Sequence, residues 1–235
     1  MSSDRHSLSR AGLIRLGAGA FSLAALAAAG YRADAATGAG AGVAPADALA
    51  RLEAGNARYV SGALKNSQGL VERRLALTGG QAPYVSILSC SDSRVPPELV
   101  FDEHVGELFI FRNAGNFVDP AVLGTLEYGY APLGAKLIMV LGHEGCGAVS
   151  ATYDALKEGR MLPPNLDAIQ KGIQDGIRSV VTAGESKNAA VVANARAQAA
   201  KLKTSPVLGP AIASGACKVV AAEYHLGTGK VTLLA

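Results

Sequence analysis

Apolar residues in this chain gather mainly in short unbroken runs, and these predict strands. Residues 84–89 (YVSILS), 107–112 (ELFIFR) and 136–141 (KLIMVL) are too short for helices and carry β-branched or aromatic side chains, as buried strands do. Residues 218–224 (KVVAAEY) predict a fourth strand, followed by a Gly-Thr-Gly turn at 227–229 and a last strand over 231–234. Between these runs the spacing turns helical. Residues 46–60 place Leu49, Leu52 and Tyr59/Val60 on one face, and 120–130, 170–182 and 187–203 continue the pattern. Strands alternating with helices predict an α/β fold, a mostly parallel central sheet covered on both faces by helices. Residues 66–80 are mixed and end in a Gly-Gly turn, and residues 36–44 have the composition of a flexible linker. The expected organisation is one domain over 45–235 with a helical arm at its N-terminus.

Composition narrows the class. The chain has 235 residues, 49% of them hydrophobic, enough for one sizeable core. Its 22 Lys and Arg nearly balance 19 Asp and Glu, and much of the excess lies in the first 35 residues. No basic face is left to hold phosphates, so nucleic acid is excluded as a partner. Residues 1–35 read as an export signal: a basic stretch to Arg15, a small-and-apolar run, then Ala33-Asp34-Ala35 as a cleavage pattern. The stretch 9–15 (SRAGLIR) is similar to a twin-arginine signal with Ala11 in place of the second arginine. The apolar run is short and rich in Gly and Ala, so no stable membrane span is expected after cleavage, and the protein is expected in the periplasm. Three cysteines do not make a disulfide framework. Cys217 stands alone before a strand and reads as a small buried apolar residue.

The other two cysteines carry the chemistry. Cys90-Ser91-Asp92-Ser93-Arg94 follows the first strand, and His143-Glu144-Gly145-Cys146 follows the third. Together they offer two thiolates, an imidazole and a carboxylate, ligand types that zinc prefers. Ligands gather outside the carboxyl ends of strands in open α/β sheets, so two distant motifs can meet at one sheet edge. His143 and Cys146 are three apart, which brings both side chains to one side of a turn. Arg94, two residues from Asp92, can draw that carboxylate off a metal. Three fixed ligands with an exchangeable fourth describe a catalytic zinc and not a structural one.

The string C-S-D-S-R-V followed by H-x-x-C-G resembles the β-class carbonic anhydrases. The resemblance extends to Gly106-Glu107-Leu108-Phe109, to Arg112-Asn113-Ala114-Gly115-Asn116, to Glu127-Tyr128 and to the helix 52–59 (LEAGNARY), covering roughly residues 45–234. It implies that Cys90, His143 and Cys146 hold Zn2+, with Asp92 either the fourth ligand of a closed state or the partner of Arg94 in an open one. It implies reversible hydration of carbon dioxide to bicarbonate by zinc-bound hydroxide, with the Asp92–Arg94 dyad orienting the nucleophile. Two thiolates leave less positive charge on the metal than three histidines would, so activity is expected to rise on the alkaline side. Gln81 matches a substrate-orienting glutamine, and Phe109 and Tyr128 match aromatic residues of a narrow substrate pocket. The resemblance further implies a homodimer or homotetramer, with the early helix reaching across to the partner and the cleft at the interface; that helix equally suits packing within one subunit.

Two departures from the family pattern stand out. Glu144 follows the ligand histidine where many relatives have serine, placing an acid near the metal or facing solvent. The chain has no tryptophan, which puts in doubt the bicarbonate-binding pocket that regulates some bacterial relatives. His104 and His225 lie outside the motifs, and His104 reads as a surface residue. Two other functions remain open on the residues: hydrolysis of carbon disulfide or carbonyl sulfide on the same zinc, and a zinc-stapled binding protein without turnover.

Overall fold

A computed structural model describes residues 42–66 and 68–234. The expected export signal and most of the linker lie outside the described residues. Five strands form one sheet: β1 (Val85–Cys90), β2 (Leu108–Asn113), β3 (Leu137–His143), β4 (Lys218–Tyr224) and β5 (Val231–Leu234), in the order β2-β1-β3-β4-β5. β1 to β4 pair in parallel, and β5 joins β4 antiparallel through the predicted turn. β1 and β3 are central and buried along their whole length, which explains their continuous apolar runs. β2 is an edge strand and is half-buried throughout.

Eight helices are described: α1 (Pro45–Ser61), α2 (Leu70–Ala76), α3 (Pro97–Val100), α4 (Pro120–Tyr130), α5 (Gly147–Lys157), α6 (Leu166–Thr182), α7 (Lys187–Lys201) and α8 (Leu208–Ala213). α4 starts at Pro120 because Asp119 caps it, accepting from the Val122 N–H at 2.8 Å. Ser186 caps α7 in the same way at 3.1 Å. Most boundaries shift by one or two residues from the sequence pattern, and the helix boundaries before the last hairpin are the clearest cases. α6 begins at Leu166, earlier than expected, and α7 ends at Lys201, where the chain tightens into a 3-10 turn over Leu202–Thr204. The sheet divides the core. On one face Leu52 of α1 packs with Phe101, Val85, Ile87, Met139 and Leu141; on the other, α4, α7 and α8 cover Leu88, Ile138 and Val140, and α5 and α6 pack with α7 around Cys90 and Cys146.

One face of α1 packs within its own subunit. Asn56 donates to the carbonyls of Val100 and Gly229 and accepts from the Val231 N–H, so one amide ties α1, α3 and the β4–β5 turn together. Arg58 pairs with the buried Asp102 carboxylate at 2.5 Å. Gly55 permits this approach, because a Cβ there would lie 1.8 Å from the Phe101 carbonyl oxygen. Gly55→Ala should therefore push α1 off the sheet and destabilise the protein by about 1–3 kcal/mol in urea unfolding, the usual cost of overpacking. An unchanged midpoint would show that α1 does not make this contact in solution.

The topology sets the position of the chemistry. The chain leaves β1 for one side of the sheet to form β2, then returns to the other side to form β3. The carboxyl ends of β1 and β3 are therefore neighbours at the point where the strand order reverses, the usual ligand crevice of such sheets.

Candidate metal centre

Cys90 is the last residue of β1, His143 is the last of β3, and Cys146 is the residue just before α5. All three are buried, and their ligand atoms lie within 4.8 Å of one another. The two sulfurs stand 3.9 Å apart. Two thiolates on one tetrahedral zinc, each at about 2.3 Å, would stand about 3.8 Å apart, so the pair already has the spacing a metal requires. His143 Nδ1 donates to the Glu144 carbonyl at 2.9 Å, which orients the ring and leaves Nε2 as the free lone pair. That Nε2 is buried and has no protein partner, a costly arrangement unless a ligand completes it. These residues fit a zinc ion.

Without a metal the two thiols share a proton. Hydrogen bonding from Cys146 holds the Cys90 thiol far below the ordinary thiol range, and the same contact pushes Cys146 up. Burial lowers the His143 imidazole, but the combined pull of the neighbouring Cys90 sulfur, the Glu144 carbonyl and the Asp92 carboxylate raises it. The cluster thus favours one thiolate, at Cys90, while a metal would have to displace the proton held by Cys146.

Asp92 stands at the mouth of the cluster. Arg94 grips it bidentately, Nε to Oδ1 at 2.9 Å and Nη2 to Oδ2 at 2.8 Å, and the Arg94 N–H adds a third bond at 2.9 Å. This grip holds the carboxyl well below the usual carboxylate range. Asp92 Oδ2 is nevertheless only 3.8 Å from His143 Nε2, so the carboxylate borders the same space as the Cys2His cluster. In the described conformer the Asp92 carboxylate is paired with Arg94. The sequence reading assigned no role to Arg112, which donates to the carbonyls of Cys90 at 2.9 Å and Asp92 at 2.6 Å. It ties Cys90 and Asp92 to the same edge strand. The Gly115 N–H donates to Cys90 Sγ at 3.3 Å.

The three expected substrate-binding residues are elsewhere. Phe109 and Tyr128 do come together, with ring centroids 6.1 Å apart. Phe109 pairs with Ser86, however, four residues before Cys90, which puts it about 13 Å back along the sheet. Gln81 is exposed in the segment leading into the same amino end of β1. Within one subunit the metal cluster and these side chains occupy opposite ends of the strands. Glu144 faces solvent and pairs with His225 at 3.1 Å, which lowers its carboxyl. His104, expected at the surface, is half-buried. Cys217 is buried as expected, and burial pushes its thiol up to about 11.

A buried Cys2His cluster, with a carboxylate gate poised beside it at the switch point of a parallel sheet, defines a candidate catalytic metal centre. The family model described as carbonic anhydrase matches residues 85–231. A carbonic anhydrase of Mycolicibacterium smegmatis is 40% identical over 194 residues, covering 80% of this chain and 93% of that protein. Carbonic anhydrase 2 of Mycobacterium tuberculosis is 34% identical over 198 residues, covering 80% and 92%. Among solved structures, a Coccomyxa β-carbonic anhydrase in complex with acetazolamide superposes with a TM-score of 0.62 at 28% identity, covering 79% of this chain and 86% of that one. A tetrameric β-carbonic anhydrase from Sordaria macrospora gives 0.61 at 26% identity, covering 80% and 96%. The chain belongs to the β-class carbonic anhydrases.

Proposed function

We propose that this protein is a zinc-dependent carbonate dehydratase that converts carbon dioxide and water to bicarbonate and a proton. The observation that carries the reading is the free, buried His143 Nε2 beside two thiols at metal spacing, with Asp92 held away by Arg94. Zinc held by Cys90, His143 and Cys146 would supply a Lewis acid that lowers the pKa of water from 15.7 towards about 7. Arg94 keeps Asp92 ionised and turned outward, and in that position the carboxylate accepts a hydrogen bond and orients the attacking oxygen. The Asp92–Arg94 pair is also what argues against a purely structural zinc, because it gives the carboxylate somewhere else to go.

The substrate pocket in this reading is completed by a second copy of the chain. Gln81, Phe109 and Tyr128 lie at the opposite end of the strands from their own metal cluster. Tyr128 is 42% exposed, and β2 is an uncovered edge. A homodimer, alone or within a tetramer, that brings this end of one subunit to the metal end of the other would build the cleft at the interface. The pattern of residues 1–35 supports export and a periplasmic site of action, where the enzyme would supply bicarbonate or buffer pH.

Substrate class is tested by giving the zinc-loaded protein carbon dioxide and carbonyl sulfide side by side. Bicarbonate formation without release of hydrogen sulfide is the expected result. Sulfide release without carbon dioxide hydration would assign the same site to sulfur-containing substrates.

A further inference from the structure

Two amides on α7 have no part in any motif, yet they are among the most buried polar side chains of the protein. Asn194 is 0% exposed and Gln198 3% exposed, one helical turn apart on a face otherwise made of Ala190, Val191, Ala195 and Ala199. An amide buried among such residues is costly unless it is hydrogen-bonded. Both reach the same distant loop, and Gln198 is bonded to α6 and to Asn194 as well. Asn194 Nδ2 donates to the Gly115 carbonyl at 2.9 Å. Gln198 Oε1 accepts from the Val118 N–H at 2.8 Å, and its Nε2 donates to Asn194 Oδ1 at 3.1 Å and to the Gly172 carbonyl at 3.0 Å. Each amide's orientation follows from these partners, since a carbonyl only accepts and an N–H only donates.

The loop they hold is strained. Gly115 has φ +88° and Asn116 has φ +42°, two consecutive residues in the left-handed region. A side chain on Gly115 would meet Ile173 Cδ1 at 2.5 Å, so the glycine is pressed against α6 as well. Such backbone persists only where its surroundings over-determine it, and here the clamps are Asn113, which brackets Phe117 with two bonds, and the Asn194–Gln198 pair. What the strain achieves is the aim of one N–H: that of Gly115, which points at Cys90 Sγ at 3.3 Å.

We propose that Asn194 and Gln198 are positioning residues that hold the Gly115 N–H on the Cys90 sulfur and thereby set how much charge Cys90 donates to a bound metal. A hydrogen bond to a thiolate withdraws electron density from the sulfur, so the metal keeps more of its own positive charge. Partners at this remove commonly change metal affinity or activity by about 10–100-fold. The inference rests on the metal reading of the cluster, and its test separates the two.

The protein is loaded with cadmium-113 and the Gly115 amide proton is examined by NMR for scalar coupling to the metal through Cys90 sulfur. Coupling is expected. Cadmium bound without coupling would overturn the relay while leaving the metal site intact; failure to bind cadmium at all would overturn both. Asn194→Ala should then weaken the coupling, move the thiolate-to-metal charge-transfer band of the cobalt protein to longer wavelength, and lower turnover about tenfold or more at unchanged zinc content. If that variant does not fold, Gln198→Ala is read by the same signals. Leu52→Ala, a core truncation on the opposite face of the sheet, is the control for general loosening. A band shift in it equal to that of Asn194→Ala would overturn the assignment, as would an unchanged coupling in Asn194→Ala.

Discussion

His143→Ala should leave the protein unable to retain zinc through dialysis and without measurable carbon dioxide hydration. The effect is large because the imidazole is one of only three fixed donors and its Nε2 has no second role among the described residues. With the metal gone, the nucleophile reverts to bulk water. Raising the water pKa from about 7 back to 15.7 lowers the hydroxide available at neutral pH by several orders of magnitude. Cys90 and Cys146 would remain 3.9 Å apart and free to close to a disulfide of about 2.05 Å in air. The loss should therefore persist in the presence of a thiol reductant, which excludes oxidation as its cause. Retained activity with stoichiometric zinc would mean that another residue completes the site.

Arg94→Ala should keep its zinc and still lose about a hundredfold in turnover at neutral pH, the scale of a small misplacement at a reacting centre. The substitution removes both guanidinium bonds to Asp92 and leaves only the backbone N–H of residue 94. The freed carboxylate, 3.8 Å from His143 Nε2, then competes for the fourth metal position. Cobalt substitution would report this directly, since the spectrum should stop responding to added azide once a carboxylate blocks the open position. Arg94→Lys should recover only part of the loss, because an ammonium is a point charge and cannot match the bidentate grip. Full activity in Arg94→Ala would remove the dyad from the mechanism.

The strands and the metal cluster were legible because both signals are local. A strand buried on both faces must be a continuous apolar run, and β1 and β3 are. Cys90 and His143 terminate those same runs, so finding the strands also located the ligands. The helix α5 was not assigned from its sequence: GAVSATYDALK is short and begins with small and β-branched residues. Its start is set instead by Cys146 leaving the cluster. Arg112, Asn194 and Gln198 were missed for a different reason. Each acts on backbone atoms far away in sequence, 79 residues away for Asn194 and Gly115, and such partners carry no side-chain code. The wide separation of Phe109 and Tyr128 from Cys90 follows from strand direction. It becomes visible only once β2 is known to run parallel to β1 with Phe109 beside Ser86.

Stopped-flow carbon dioxide hydration by the zinc-loaded protein, followed from about pH 6.5 to about pH 9, tests the account most directly. Hydration that climbs through this range is predicted, as the nucleophile is released by loss of a proton from water. Asp92 cannot produce that rise, because Arg94 depresses its carboxyl and a depressed carboxyl is already ionised throughout the range. Full zinc occupancy with no hydration at any pH would contradict the account.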